Sequence, residues 1–148
     1  MVSQRIIAGG EEAGGIGVQD YIPERDGTLA GLLILEKMVY EKKNLKRLLE
    51  DMEKEFGRYY YLRGEAKLGS RKVDIAAIRN QTTILGKAVV DVKDYDGIKW
   101  TMQDESWLML RPSGTEPLLR IYAEGRNQAQ VKNVLAVGKK IGREVVGR

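Results

Sequence analysis

Residues 106–125 read SWLMLRPSGTEPLLRIYAEG. Two apolar runs, Trp107 to Leu110 and Leu118 to Ala123, have the aliphatic and aromatic content of strands packed within a sheet. The stretch between them, Arg111-Pro112-Ser113-Gly114-Thr115-Glu116-Pro117, is too long and too polar for a minimal hairpin turn.

Outward from this pair the pattern continues. Strands are predicted from Tyr59 to Leu62, continuing towards Leu68, and then over Ala88 to Val92 and Ile98 to Met102. Asp96-Gly97 and Asp104-Glu105-Ser106 stand where hairpin turns belong. A short helical stretch follows Ser70. Asn127 with Gln130 resembles a capping box opening a last helix that aligns Val131, Val134, Leu135, Ile141 and Val145 on one face. The fold class is α+β, with an antiparallel sheet and helices on one side.

Residues 1–57 follow a different pattern. Arg5 to Ala8 reads as a short buried strand, and the glycine-dense stretch Gly9 to Gly17 as a loop with too few side chains for a regular element. Asp26 is placed to cap a helix from Gly27 to Glu41, whose Leu29, Leu32, Leu33, Val39 and Tyr40 should pack on a sheet. Asn44 caps a second helix bearing Leu45, Leu48, Leu49, Met52 and Phe56, and Gly57 ends it. One strand hides neither its edges nor its faces, so this segment is expected to be the tail of an α/β layer. The division is 1–57, an α/β tail, and 58–148, a small antiparallel-sheet domain.

A length of 148 residues suits one ordinary domain or two small ones. With 43% apolar and 31% charged residues, a packed core is expected. The chain contains neither cysteine nor histidine, which excludes disulfides, thiol and imidazole catalysis, and structural zinc built on those ligands. A net charge of +4, spread among nearly as many acids, suggests anionic ligands rather than a nucleic-acid groove. Apolar stretches such as Leu32 to Leu35 fall far below the ~18 residues of a membrane span, and Met1 to Gly10 lacks a signal-peptide layout. No membrane partner is expected, and the cytoplasm is the default compartment.

Two loops offer chemistry. In the first, Arg111 presents a planar fork suited to phosphate, Ser113 and Thr115 present hydroxyls, and Gly114 lets backbone N–H groups approach an anion. Charge-assisted hydrogen bonds of roughly 1.5–3 kcal/mol each would hold a phosphate ester at micromolar to millimolar strength. The same residues also suit a plain turn with Arg111 solvated. In the second, Glu11 and Glu12 stand within glycines. They suit sugar hydroxyls, a cation, acid-base work or a solvated turn, and adjacent residues rarely converge on one ligand.

RPSGTEP followed by LLRIYAEG resembles the phosphate-binding loop of the α-D-phosphohexomutase superfamily. GGEEAGGIG, then IPERDG and RDGTLAGLLILE, resemble the sugar-binding loop and following helix of its third domain, in the right order; DYDGIKW is a further match. The resemblance implies that Arg111, Ser113, Gly114 and Thr115 clamp the non-reacting phosphate of a hexose phosphate and that Glu11 binds the sugar hydroxyls. The family commonly has Ser where Ala13 stands, which removes one hydroxyl contact. Some branches have His at the position of Gly15. Arg120, on the strand leaving the loop, reads as a supporting arginine, and Arg25 and Asp26 recur in the family.

The resemblance also implies a phosphoryl shuttle through a phosphoserine in the first domain, supported by magnesium on an Asp-Gly-Asp-x-Asp loop in the second. Neither a TASHNP-type loop nor that metal loop occurs here, and Asp91, Asp94 and Asp96 do not replace them. No catalytic residue, metal site or cofactor is therefore expected in this chain, and magnesium is expected only in a complete enzyme. The expected partners are a hexose phosphate, missing N-terminal mutase domains or a companion chain, and a second copy in a homodimer. The alternative is a non-catalytic sugar-phosphate-binding subunit that complements a split mutase.

Overall fold

The structure, a computed structural model, describes residues 6–11, 15–68 and 74–146. Contacts divide the chain into two units, Met1–Gly57 and Arg58–Arg148.

In the first unit, β1 (Ala8–Gly10) pairs antiparallel with β2 (Ile16–Val18), with Ala8 opposite Val18 and Gly10 opposite Ile16. This corrects two expectations, a strand over Arg5 to Ala8 and an irregular Gly9 to Gly17. Arg5 lies outside the described residues, Ile6 and Ile7 precede the strand, and the glycine-rich stretch itself supplies the ladder. Strand pairing uses backbone N–H and C=O groups, which glycine has in full.

Helix α1 (Gly27–Glu41) starts where Asp26 turns extended and its carboxylate accepts from the Leu29 amide at 2.9 Å. It ends at left-handed Lys42. Helix α2 (Leu45–Phe56) opens with the Asn44 side chain accepting from the Arg47 amide at 3.0 Å and closes as Gly57 N–H donates to the Glu53 carbonyl. Ala30 is the one buried residue among those described in this unit. The expectation that α1 packs on a sheet is therefore corrected: Leu32, Leu33, Val39 and Tyr40 are exposed. The described strands of the unit are three residues each, too short to cover a fifteen-residue helix.

The second unit comprises β3 (Tyr60–Lys67), α3 (Ile75–Ile78), β4 (Thr83–Ile84), β5 (Lys87–Lys93), β6 (Ile98–Met102), β7 (Trp107–Pro112), β8 (Leu118–Gly125) and α4 (Gln128–Val146). The strands form one antiparallel sheet in the order β3-β8-β7-β6-β5-β4. β4 was not anticipated, because two residues carry no alternation. It exists because Leu85 and Gly86, both at positive φ (52° and 73°), make the tight reversal that a two-residue hairpin needs.

Alternation sends Ile98, Trp100, Met102, Leu108, Leu110, Leu119, Ile121 and Ala123 to one face, where they form a core with Val131, Val134 and Leu135 of α4. Each larger side chain so buried contributes about 1.5–3 kcal/mol. Ile78 of α3 joins the same core, and Trp100 donates its indole N–H to the Arg79 carbonyl at 3.1 Å. At Gly138 a Cβ would lie 2.6 Å from Ile121 and 2.7 Å from Leu108, so α4 sits on the sheet at a separation only glycine permits. Ile141 packs at the margin, and the Val145 side chain lies outside the described residues.

Only half of the expected capping box forms. Asn127 accepts from the Gln130 amide at 2.8 Å, but Gln130 Nε2 donates to Asp104 at 2.6 Å instead of reaching back. Asp104 also accepts from the hydroxyl of buried Ser106 at 2.6 Å and pairs with Lys87. Burial alone would raise the Asp104 carboxyl, but these donors outweigh it and hold the pKa at about 2. Among the described residues no helix is long and apolar enough to cross a membrane.

Candidate functional site

The loop between β7 and β8 is tied at both ends and open in the middle. Ser113 N–H donates to the Leu118 carbonyl at 2.9 Å, Leu118 N–H to Glu116 at 2.8 Å, and Leu68 N–H to Pro117 at 2.9 Å. The Ser113 hydroxyl oxygen accepts from the Glu116 amide at 3.3 Å, so its hydrogen remains to be donated. Among the described residues the Gly114 and Thr115 amides find no acceptor, and both residues are exposed. A Cβ on Gly114 would meet nothing within 4 Å. The resting loop does not itself require glycine there.

Arg111 and Arg120 stand directly opposite each other on β7 and β8, so their side chains share the sheet face away from α4. Each like charge has an acid to offset it. Arg111 Nε lies 3.1 Å from Asp96 Oδ2, and Arg120 Nη2 lies 3.5 Å from Glu116 Oε2. The neighbouring Tyr122 hydroxyl is the foremost influence raising the Arg120 pKa, although neither Arg120 Nε nor Tyr122 Oη completes a hydrogen bond. Guanidinium, hydroxyl and unpaired amide donors on one exposed loop are the equipment for binding a tetrahedral oxyanion.

In the first unit, Glu11 borders an open depression of about 330 Å³ lined by Gly9, Gly10, Gly15, Pro23 and Arg25. Its carboxylate meets Arg25 Nη1 at 2.5 Å, and Arg25 Nε reaches Glu24 at 3.3 Å. The Glu11 bond, followed by that to Glu24, raises the Arg25 pKa. A Cβ at Gly15 would fall 2.7 Å from Arg25 Cδ and 2.8 Å from Glu11 Oε1, so the pair occupies the space of that missing side chain. Glu12 and Ala13 lie outside the described residues.

The predicted site residues thus fall into two groups, Glu11 in the first unit and Arg111, Ser113, Gly114 and Thr115 in the second. Sequence reasoning passed over Arg25 as the partner of Glu11 and Asp96 as the partner of Arg111. The second could have been found: once Ile98 is set opposite Leu110, the residues before it face Arg111. Asp94 is likewise paired, with Arg79 Nε at 3.0 Å. Among the described residues no three carboxylates gather as a metal site.

Residues 63–137 match the family model described as phosphoglucomutase/phosphomannomutase, C-terminal domain, and residues 1–56 match its alpha/beta/alpha domain III. A phosphoglucomutase/phosphomannomutase of Thermococcus kodakarensis is 29% identical over 139 residues, covering 93% of this chain and 29% of the relative. A phosphoglucosamine mutase of Methanococcus aeolicus is 33% identical over 138 residues, covering 91% and 29%. One of Methanocaldococcus jannaschii is 29% identical over 149 residues, covering 99% and 32%. The chain spans less than a third of the length of these curated relatives.

Proposed function

The chain belongs to the phosphoglucomutase/phosphomannomutase family, as a counterpart of its C-terminal part, and from that premise we propose that it grips a hexose phosphate during intramolecular phosphoryl transfer. Arg111, Ser113, Gly114 and Thr115 hold the phosphate that is not reacting, and Glu11 holds sugar hydroxyls. The observation that carries this reading is the unspent donor set of the loop: two amides and a hydroxyl hydrogen without acceptors among the described residues, and a guanidinium, around a glycine that the resting structure does not need.

A remote clamp of this kind accelerates transfer by orientation, since binding energy spent away from the reacting bond fixes the substrate where other groups can act on it. Phosphoserine and metal are supplied by other domains or a companion chain, and the exposed apolar residues of α1 and α2 favour a reading in which such a body covers them. No step is assigned to magnesium on this chain.

Two assays test the proposal. The purified chain, given glucose 1-phosphate, magnesium and a bisphosphate activator, is expected to show no turnover, and activity surviving removal of host enzymes would overturn the non-catalytic role. In equilibrium dialysis the chain retains inorganic phosphate and Arg111→Ala loses it. Equal retention by both would overturn the clamp.

A further inference from the structure

We infer that Asp96 is a positioning residue for the phosphate clamp, holding Arg111 by its Nε so that the two terminal nitrogens of the guanidinium face the ligand. This rests on the reading of Arg111 as a phosphate ligand.

An arginine side chain ordinarily samples many rotamers, and freezing one costs conformational entropy. Three features place that ordering in the protein before any ligand arrives. The first is the ion pair of Arg111 Nε with Asp96 Oδ2, 3.1 Å apart. The second is the rigidity of the residue that makes it. Asp96 sits in the turn between β5 and β6, next to Gly97 at φ 91°, where a Cβ would lie 2.5 Å from the Leu110 carbonyl oxygen and 2.9 Å from Arg111 Cα. The turn is thus pressed onto the β7 backbone at the clamp residue, as only glycine allows, and Asp96 is fixed against Arg111 rather than swinging past it.

The third feature is charge. Arg111 faces Arg120 across the strands, and like charges in that relation repel. Asp96 on one side and Glu116 on the other make an alternating row, Asp96–Arg111–Arg120–Glu116, that draws the two guanidinium groups apart. The ion pair lies on the Nε side of the guanidinium. Among the described residues the terminal nitrogens of Arg111 have no acceptor, and they retain the forked geometry that matches two phosphate oxygens.

The role separates geometry from charge. Asp96→Asn keeps the shape of the side chain while removing the negative charge, and Asp96→Ala removes both. Phosphate titrations of the full chain, followed through the loop amides and the Arg111 Nε–H resonance, distinguish them. The expected result is weakening of inorganic phosphate binding by about tenfold, or 1.4 kcal/mol, in Asp96→Ala. Asp96→Asn should fall between the wild type and Asp96→Ala, and the wild-type Nε–H signal should stay in place as phosphate is added. If the wild-type loop responds and Asp96→Ala binds equally well, this role is overturned while the clamp stands. Tighter binding by both variants also overturns it, because Asp96 would then act only as a charge that repels the anion. A wild-type loop that does not respond at all overturns the clamp and this role with it.

Discussion

Helices α1 and α4 both open on a side-chain cap and carry apolar side chains that need cover, α1 nearly all round and α4 along one face, and they end in opposite surroundings. Val131, Val134 and Leu135 of α4 are 0%, 2% and 8% exposed, whereas Leu32, Leu35 and Val39 of α1 are 58%, 55% and 77% exposed. The difference lies in what each helix has beside it. α4 follows a sheet of six strands built mostly from neighbouring hairpins, while the described strands of the first unit form one pair of three-residue strands. Apolar content reports that a helix surface needs cover and is silent on who supplies it.

Matched truncations put the contrast to its hardest test. Leu108→Ala empties a fully buried site and should destabilise the second unit by about 2–5 kcal/mol, while Leu49→Ala on exposed α2 should stay within about 0.5 kcal/mol. Urea unfolding gives both values, and comparable losses would mean the first unit has a core of its own. Association is the next consequence. The whole chain should self-associate through α1 and α2, whereas a chain beginning at Arg58 should scatter light as a monomer. A monomeric whole chain, with its first residues protected from hydrogen exchange, would break the comparison.

Acid sharpens it further. The Asp104 pKa is lowered from 3.8 to about 2 in the folded unit, so its stabilising contribution is fully present above 3.8 and is lost as pH falls towards 2. Asp104→Asn should therefore remove part of the loss of second-unit stability over that window, measured by urea midpoints at several pH values. Unchanged pH dependence in the variant would deny that the Asp104 carboxylate, held by Lys87 and Ser106, stabilises the folded unit. The smallest effect is expected at Gly15→Ala. The methyl group collides with the movable side chains of Arg25 and Glu11, so it should part their ion pair and leave stability nearly unchanged. A shift of the Arg25 Nε–H resonance would report it, and an unmoved resonance would show that the pair tolerates the methyl group.

Much of this architecture was legible in the sequence because its signals are local. Asp26 and Asn44 cap the helices they were expected to open, and the Asp96-Gly97 turn falls between two strands as read. What escaped is set across the chain. Gln130 abandons its own capping box for Asp104 in a distant turn, and β4 is made by a backbone reversal at Leu85-Gly86 rather than by an apolar period. The β1–β2 pair was missed because glycines give no side-chain alternation to count. At the candidate loops the residue types were readable, but their partners, Arg25 and Asp96, depend on tertiary placement.

The central claim, that the Arg111 to Thr115 loop grips the phosphate of a hexose phosphate, is tested most directly by mapping amide resonances while glucose 1-phosphate is added, with glucose as the control. The account predicts saturable shifts at Arg111, Ser113, Gly114 and Thr115 with the phosphate ester, none at those residues with glucose, and their loss in Arg111→Ala. Loop resonances that stay still while another surface responds would contradict it.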